Sequence, residues 1–252
     1  MNRLEKINFI RRKLESGEAS IGSWMQIPDA SVAEIMGRGG YDWIAIDMEH
    51  GSIAVHQLPN LFRSLELGGT LPMARLAQGK AKDCKQALDA GAGGVIIPMI
   101  ETSKQLEENI KQCCWPPNGM RGVGFSRANL FGRDFNEYSN EARSPLVVAQ
   151  IESIRAVENL DDICKVSGLD ALIVGPYDLS ASMNLTGQFD NLVFKQAMER
   201  IIYIAGVNKI PCGVHIVNPV ISELEAKLKE GFRFIAYSID AVFIEKYSKL
   251  NL

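Results

Sequence analysis

Polar and ionisable side chains follow several apolar runs of the chain, at points where a buried strand would end. The stretch DMEHG, residues 47–51, directly follows the apolar run WIAI. A carboxylate beside a histidine can orient the imidazole ring and raise its basicity, as a general base requires. Asp47 and His50 are therefore a candidate proton-transfer pair, although the stretch could equally be a polar turn. Glu49 could support either His50 or a nearby cation.

Two further carboxylates stand at the ends of consecutive apolar runs: Glu152 ends the run 145–152, and Asp178 follows the run 170–176. Neighbouring strands lie roughly 4.8 Å apart, and carboxylates that close repel unless one is protonated or a cation lies between them. Oxygen-only ligation favours Mg²⁺ or Mn²⁺. The alternative is that Glu152 caps the following helix and Asp178 caps a turn, and the residues alone leave both interpretations open.

Arg75 stands at the end of another apolar run. A buried arginine needs an anionic partner, either a substrate oxyanion or the carboxylate of Asp47 or Glu49. The chain has three histidines. Of the two outside DMEHG, we expect His56 at the surface and His215 in the core or in the wall of a pocket.

The elements that must position these residues follow a strong rhythm of apolar, β-rich runs alternating with helix-like stretches. The runs are residues 21–27, 42–48, 71–77, 93–99, 145–152, 170–176, 212–217 and 232–239. About eight alternations in 252 residues predict an α/β fold, a TIM (β/α)8 barrel, with a leading helix near residues 2–15 as a cap. The candidate residues would lie at the C-terminal strand ends, where such barrels place their chemistry. A doubly wound open sheet is the alternative, but the first turn has no GxGxxG.

One connection, residues 115–144, is long enough to interrupt this rhythm. Connections of this length are often functional. Its Arg121, Arg127 and Arg133 could cover the site, contact a neighbouring subunit, or be solvated loop side chains.

The composition narrows the class of protein. A net charge of −3 with 23% charged residues does not indicate a nucleic-acid partner or an anionic membrane surface. No apolar stretch approaches the roughly 20 residues of a membrane span, and the N-terminus lacks the pattern of a signal peptide. Five cysteines without CxxC spacing predict reduced thiols in a cytoplasmic protein. We expect residues 1–252 to form one barrel domain.

Two kinds of chemistry are disfavoured by what the strand ends lack. No predicted strand end carries the lysine that a Schiff-base aldolase needs. The turns after the last two runs are not glycine-rich phosphate loops, so a non-phosphorylated substrate is favoured.

Six stretches carry a resemblance to a known family. They are GSWMQIPDASVAEIMGRGGYDWIAIDMEHG, LPMARL, DAGAGGVIIPMIET, WPPNGMRGVG, VVAQIES and GPYDLSASM. In this order and spacing, across almost the whole chain, they resemble the HpcH/HpaI aldolases. These are metal-dependent (class II) pyruvate aldolases that act on 2-oxo acids.

The resemblance implies a barrel whose C-terminal helix is exchanged with a neighbouring subunit, in dimers that build a homohexamer as a trimer of dimers. It implies a divalent ion, Mg²⁺ or Mn²⁺ with Co²⁺ as a further candidate, held by Glu152 and Asp178. The reaction would form or cleave 4-hydroxy-2-oxo acids through a pyruvate enolate, with an aldehyde as the other partner. Substrates of the 2-keto-3-deoxy-sugar-acid or 4-hydroxy-2-oxoheptanedioate type are expected.

The resemblance also implies a role for each catalytic side chain. His50, paired with Asp47, would be the general base, acting through a metal-bound water, and Arg75 would stabilise the enolate oxygen. The pyruvate unit would be held by Gln150 and by backbone amides around Gly175, Tyr177 and Asp178.

Departures from the family pattern leave the aldehyde undefined. Tyr177 stands where smaller residues also occur, and His215 where an aliphatic residue is expected. Two alternative functions stay open. One is a citrate-lyase-β-like enzyme for CoA thioesters, which would need a basic channel that the sequence does not show. The other is a non-catalytic barrel subunit, against which the retained site residues argue.

Overall fold

The computed structural model describes residues 1–250 and contains a closed barrel of eight parallel strands. The strands are β1 Ser20–Met25, β2 Trp43–Asp47, β3 Leu71–Arg75, β4 Gly94–Ile97, β5 Leu146–Ile151, β6 Ala171–Val174, β7 Cys212–Ile216 and β8 Phe234–Ile239. Each strand pairs with its neighbour in chain order, and β8 closes onto β1. The predicted (β/α)8 fold is confirmed, and the open-sheet alternative is wrong.

Helices connect the strands on the outside of the barrel. They are α1 Arg3–Glu15, α2 Ala30–Gly37, α3 Leu58–Gly68, α4 Ala81–Ala90, α5 Ser103–Cys113, α6 Phe135–Arg143, α7 Ile154–Glu158, α8 Leu160–Cys164, α9 Pro176–Ser182, α10 Leu192–Val207, α11 Ile221–Lys229 and α12 Asp240–Tyr247. Local sequence sets several of their starts. The side chains of Asp29, Thr102 and Ser153 accept hydrogen bonds from backbone N–H groups in the first turns of α2, α5 and α7, as N-cap residues do.

The core has two layers, one inside the barrel and one between the strands and the helices. Because both faces of each strand are covered, the strands are apolar nearly throughout. Inside the barrel, Trp43 stacks on Phe234 with ring centroids 4.4 Å apart. Ile7 and Ile10 of α1 join this inner cluster, so the predicted leading helix closes the N-terminal end of the barrel. The opposite, C-terminal end remains open for a site.

The long connection 115–144 is partly helical and packs beside α1. It contains a 3₁₀ turn and α6. Arg127 pairs with Glu66, and Arg3 of α1 pairs with Glu141 of α6 at 2.8 Å. The idea that this connection covers the site is therefore wrong, because its ion pairs hold it at the N-terminal end. Contact with a neighbouring subunit stays a prediction.

The other two arginines of the connection differ. Arg121 is buried, with its guanidinium beside the rings of Trp115 and Tyr138. Arg133 is solvated, with a side chain 77% exposed. Of the three arginines in this connection, only Arg133 is a solvated loop side chain.

Three further features bear on the predicted setting of the protein. The five cysteines are buried and unbridged. Within residues 1–250, no helix combines the length and the apolar character needed to cross a bilayer. The C-terminal helix α12 buries only Asp240, and its exchange between subunits stays a prediction.

Candidate active site

A pocket of about 310 Å³ opens at the C-terminal ends of the strands. Its lining residues are Trp24, Gln26, His50, Arg75, Gln150, Ile173, Val174, Gly175, Pro176, Tyr177, Asp178, His215, Val217 and Ile239. Six of the predicted site residues are among them. The other two, Asp47 and Glu152, lie behind the pocket wall, where each bonds to a lining side chain.

Asp47 and Arg75 form the fixed centre of the site. They are direct partners in the register of β2 and β3. The guanidinium donates from Nε to Asp47 Oδ1 at 2.9 Å and from Nη2 to Oδ2 at 2.6 Å. It also lies over the ring of Trp24, 4.5 Å from its centroid. A two-point ion pair and an aromatic face leave this guanidinium little freedom, so the expected partnership of Arg75 with Asp47 is present.

The carboxylate of Asp47 is completely buried and fully hydrogen-bonded. Burial alone would raise its pKa, but the hydrogen bonds and charge of Arg75, with help from Gln26, leave the pKa below its ordinary value. Its Oδ1 also accepts the backbone N–H groups of Glu49 and His50 at 3.1 and 3.2 Å. Asp47 therefore fixes the turn that carries His50 through the backbone. Its predicted pairing with the His50 ring stays a prediction.

The turn after β2 places two ionisable groups at the rim. The His50 side chain is 56% exposed, and its Nε2 lies 3.9 Å from Glu49 Oε2. Gly51 completes the turn, because a Cβ there would lie 2.4 Å from the carbonyl oxygen of Asp47. DMEHG is thus a tight turn and also the edge of the pocket.

Glu49 is the least satisfied acid of the site. Its Oε2 is buried without a hydrogen-bond partner among the described residues, although Arg75 Nε lies 3.5 Å away. Burial raises its pKa to about 7; Arg75 opposes this, while Glu152, Asp47 and Asp178 add to it. Glu49 thus lies near three other carboxylates in this small region.

Glu152 follows β5 and is held by two donors. Its Oε1 accepts the backbone N–H of Met99 at 2.6 Å, and its Oε2 accepts from the side-chain amide of Gln150. Met99 has φ +53°, a conformation that is uncommon for a residue with a side chain. The helix-cap alternative for Glu152 is wrong, because Ser153 supplies the cap of α7.

Glu152 and Gln150 both show that this part of the site has more negative charge and more acceptor atoms than the described residues satisfy. Burial raises the pKa of Glu152, the bonds from Met99 and Gln150 oppose this, and Asp178 raises the pKa further. The carbonyl Oε1 of Gln150 is buried with no partner among the described residues. A buried polar atom without a partner costs free energy, so this oxygen is available to a ligand in the pocket.

The start of α9 forms the wall opposite. The register pairs Ile151 with Val174, so Glu152 and Gly175 follow at the same level of the barrel. A Cβ at Gly175 would lie 3.0 Å from Glu152 Oε2, which explains the glycine. Asp178 stands in the first turn of α9 and is exposed.

The first-turn N–H groups of α9, around Tyr177, have no intrahelical acceptor. The ring of Tyr177 leans edge-on against Phe189, at a centroid distance of 5.0 Å. These amides face the same end of the barrel as the carboxylates.

Among the lining residues that can form hydrogen bonds, three were missed or left undecided from the sequence. Trp24 and Gln26 were missed because the run 21–27 was treated as an apolar strand, although it contains Gln26. Alternation along β1 was the available signal, since residues two apart face the same side. His215, left between core and pocket wall, lies in the wall with its ring edge toward Trp24 at 5.8 Å between centroids. His56 is exposed, as expected.

Among residues 1–250, no three His, Cys, Asp or Glu side chains converge into a ready metal-binding group, but two acidic residues are suited to a divalent cation. Glu152 and Asp178 supply carboxylate oxygens on adjacent elements, and an ionised carboxylate has about four lone-pair sites, more than Glu152 uses. Arg75 is the one arginine or lysine among the described residues that line the pocket, and it is already committed to Asp47. The remaining negative charge therefore lacks a fixed positive partner, which is the setting in which oxygen-ligated Mg²⁺ or Mn²⁺ binds.

Known proteins share this architecture. The HpcH/HpaI aldolase/citrate lyase family model matches residues 20–245. The hydroxypyruvate/pyruvate aldolase of Roseobacter denitrificans is 32% identical over 240 residues, covering 94% of this chain and 93% of that protein. The 2-keto-3-deoxy-L-rhamnonate aldolase of Salmonella gallinarum is 33% identical over 237 residues, covering 93% and 88%.

Solved structures give the same result. The crystal structure of an HpcH/HpaI aldolase/citrate lyase family protein from Burkholderia cenocepacia has a TM-score of 0.89 at 28% identity, covering 96% of both chains. Aldolases and citrate lyases both act on carbon–carbon bonds, so the predicted enzyme class, a carbon–carbon lyase, is confirmed. This chain belongs to the HpcH/HpaI aldolase/citrate lyase family.

Proposed function

We propose that this protein is a divalent-metal-dependent aldolase that forms or cleaves 4-hydroxy-2-oxo acids through the enolate of pyruvate. One observation carries the proposal: two acids with raised pKa values, Glu49 and Glu152, lie near the carboxylate of Asp178 at a pocket whose one guanidinium among the described residues is already bound to Asp47. Such a site suits a cation together with a substrate that chelates it. The names of the relatives, both aldolases, support the same reaction class.

Glu152 and Asp178 would hold the ion. When bound, it would supply Lewis acidity toward the keto oxygen of a 2-oxo acid, which lowers the cost of forming the enolate. Arg75 supports this from the protein side. Because Asp47 and Trp24 fix its guanidinium, it needs no reorganisation as negative charge develops on the substrate oxygen.

Proton transfer falls to the turn after β2. His50 is exposed to the pocket and lies beside Glu49, so its imidazole can take a proton from the pyruvyl methyl group and return it. Asp47 acts as a positioning residue, because it holds both the backbone of this turn and the guanidinium of Arg75. One buried carboxylate thereby couples the base to the oxyanion partner.

The carboxylate end of the substrate would lie at α9. The free N–H groups around Tyr177 and Asp178 can receive it, and Gln150 can bond the pyruvate unit. Gly175 keeps this wall open, since a side chain there would press on Glu152. The relatives' printed substrates support a 2-oxo acid as one partner.

The test is proton exchange at the methyl group of pyruvate, measured by NMR in D₂O with and without Mg²⁺ or Mn²⁺. We expect metal-dependent exchange in the wild type and its loss in Glu152→Ala. His56→Ala, an exposed histidine outside the pocket, should exchange like the wild type. Circular dichroism of each variant confirms the fold. Absence of exchange with every divalent ion would refute the proposal.

We further propose the exchanged C-terminal helix, the hexamer and the cytoplasmic location. The exposed apolar side chains of Ile244 and Tyr247, at 50% and 72%, support a partner for α12. Light scattering of the full chain and of Tyr247→Asp tests this: a hexamer that dissociates in the variant supports it, and a wild-type monomer refutes it.

A further inference from the structure

His215 is a histidine of the pocket that the proposed reaction does not use. It stands on β7, and its ring lines the pocket floor beside Trp24. Its Nε2 is buried and has no hydrogen-bond partner among the described residues. Native proteins rarely leave such an atom unpaired, and beside a pocket a water or a ligand group can supply the missing partner.

The surroundings of the ring determine which kind of group fits. Burial and the neighbouring charge of Arg75 lower the pKa of His215 to about 3, and Asp47 only partly opposes this. The imidazole is therefore neutral under ordinary conditions. One ring nitrogen then donates and the other accepts, so the ring suits a neutral group that can do both, and a hydroxyl is the simplest.

Trp24 adds a second, independent observation. Its indole Nε1 is also buried with no partner among the described residues, and the residue lines the same floor. Two neighbouring rings that line the pocket thus each carry a buried nitrogen without a partner among the described residues, and the lining also includes the apolar Ile173 and Val217. A purely apolar substrate would leave His215 Nε2 unsatisfied, whereas a hydroxylated one would satisfy it.

We propose that His215 determines substrate specificity by hydrogen-bonding a hydroxyl group of the substrate. This inference rests on the proposed aldolase function and names the substrate class of its site. The hydroxyl belongs to the 2-oxo acid or to the aldehyde. Both sources present the same chemistry to the ring, and the experiment separates them.

The experiment uses two matched substrate pairs that differ by one hydroxyl. Hydroxypyruvate and pyruvate are compared with a common aldehyde, and glycolaldehyde and acetaldehyde with a common 2-oxo acid. kcat and KM are measured for wild type, His215→Phe and His215→Gln. Phenylalanine keeps an aromatic edge against Trp24, while glutamine restores a donor and an acceptor near the position of Nε2.

We expect the wild type to favour the hydroxylated member of one pair. In His215→Phe the ratio of kcat/KM for that pair should fall about tenfold, the size of one neutral hydrogen bond. The loss should appear mainly in KM, and His215→Gln should recover part of it. The pair that responds identifies which partner carries the hydroxyl. His56→Phe, the same change outside the pocket, should leave both ratios unaltered.

Equal ratios in wild type and His215→Phe for both pairs would overturn the inference, as would an equal loss for all four substrates. If His215→Phe does not fold, the His215→Gln and His215→Leu ratios provide the same test. Failure of the aldolase proposal looks different, because the wild type would then turn over neither member of either pair.

Discussion

The two ends of the barrel both contain buried charged groups, but they satisfy them differently. At the N-terminal end, Glu141 pairs with Arg3 at 2.8 Å, and Glu66 pairs with both Arg3 and Arg127. At the C-terminal end, the guanidinium of Arg75 is bound by Asp47, and Glu49 keeps an oxygen without a partner. The first end is a structural ion network, and the second is a site with charge still to be neutralised.

A shifted pKa alone does not distinguish these ends. Burial raises the pKa of Glu141 even though Arg3 opposes it, and burial likewise raises the pKa of Glu49. The difference lies in hydrogen bonding, because Glu66 and Glu141 accept hydrogen bonds from guanidinium groups. Within the described part of the chain, Glu49 Oε2 lies 3.5 Å from Arg75 without a hydrogen-bond partner, and Glu152 is bound only by neutral donors. Unpaired acids that surround a pocket indicate a ligand site more specifically than perturbed acids in general.

Arg75→Met, at the C-terminal end, should have the largest effect, because it should change both the stability and the methyl exchange. It leaves the buried Asp47 carboxylate unpaired, so we expect a loss of about 3 kcal/mol in the free energy of unfolding. Exchange of the pyruvate methyl group should slow by about 10²–10³, since an oxyanion partner is lost. Urea denaturation and NMR exchange measure the two effects. Normal exchange in a folded variant would remove Arg75 from the mechanism.

Mg²⁺ should stabilise the protein by binding at the C-terminal end of the barrel. We expect the free energy of unfolding to rise by about 2.7 kcal/mol when free Mg²⁺ is about 100 times Kd. Glu152→Gln should abolish the rise, and thermal melts with EDTA or Mg²⁺ measure it. An equal rise in wild type and Glu152→Gln would show that the ion binds elsewhere.

Arg3→Met is the matched change at the N-terminal end. It removes a guanidinium from Glu141 and Glu66, and we expect a loss of about 2 kcal/mol in the free energy of unfolding, because Arg3 and Glu66 are partly solvated while Glu141 is buried. The rate of methyl exchange in the folded fraction should equal that of the wild type. A slowed rate would mean that the two ends are coupled and would weaken the comparison.

Glu49→Gln should have the smallest effect on stability, and the size of that effect depends on pH. In the folded protein the pKa of Glu49 is about 7, above its ordinary value of 4.5, so stability contributed by the protonated group is lost as pH rises through 7. In metal-free protein, the glutamine variant should therefore be more stable than wild type by on the order of 1 kcal/mol near pH 9, and equal to it near pH 4. Thermal melts across pH measure this. Destabilisation at high pH would show that Glu49 is ionised and paired with Arg75.

Much of the fold and part of the site could be predicted from the sequence. The alternation of apolar runs predicted eight strands, and the polar residues after those runs marked the functional end. Asp47, Arg75 and Glu152 were placed correctly at strand ends because parallel strands in a barrel all point the same way. The observed strands stop earlier than several runs, and Glu152 and Gly175 directly follow the ends of β5 and β6.

Other features depended on contacts that local sequence does not encode. Arg75 had three possible anionic partners, and only the register of β2 against β3 selects Asp47. The connection 115–144 could have lain at either end until its ion pairs with α1 and α3 fixed it.

The residues by themselves determined the barrel, the end that carries chemistry and the identity of its acids, because strand periodicity and apolar runs are local properties. The closure of β8 onto β1 was decided only by the tertiary structure. That closure brings Trp24 and His215 together on one floor, although they lie near opposite ends of the chain. Which polar atoms remain unpaired depends on this packing, since a partner from anywhere in the chain could have reached them.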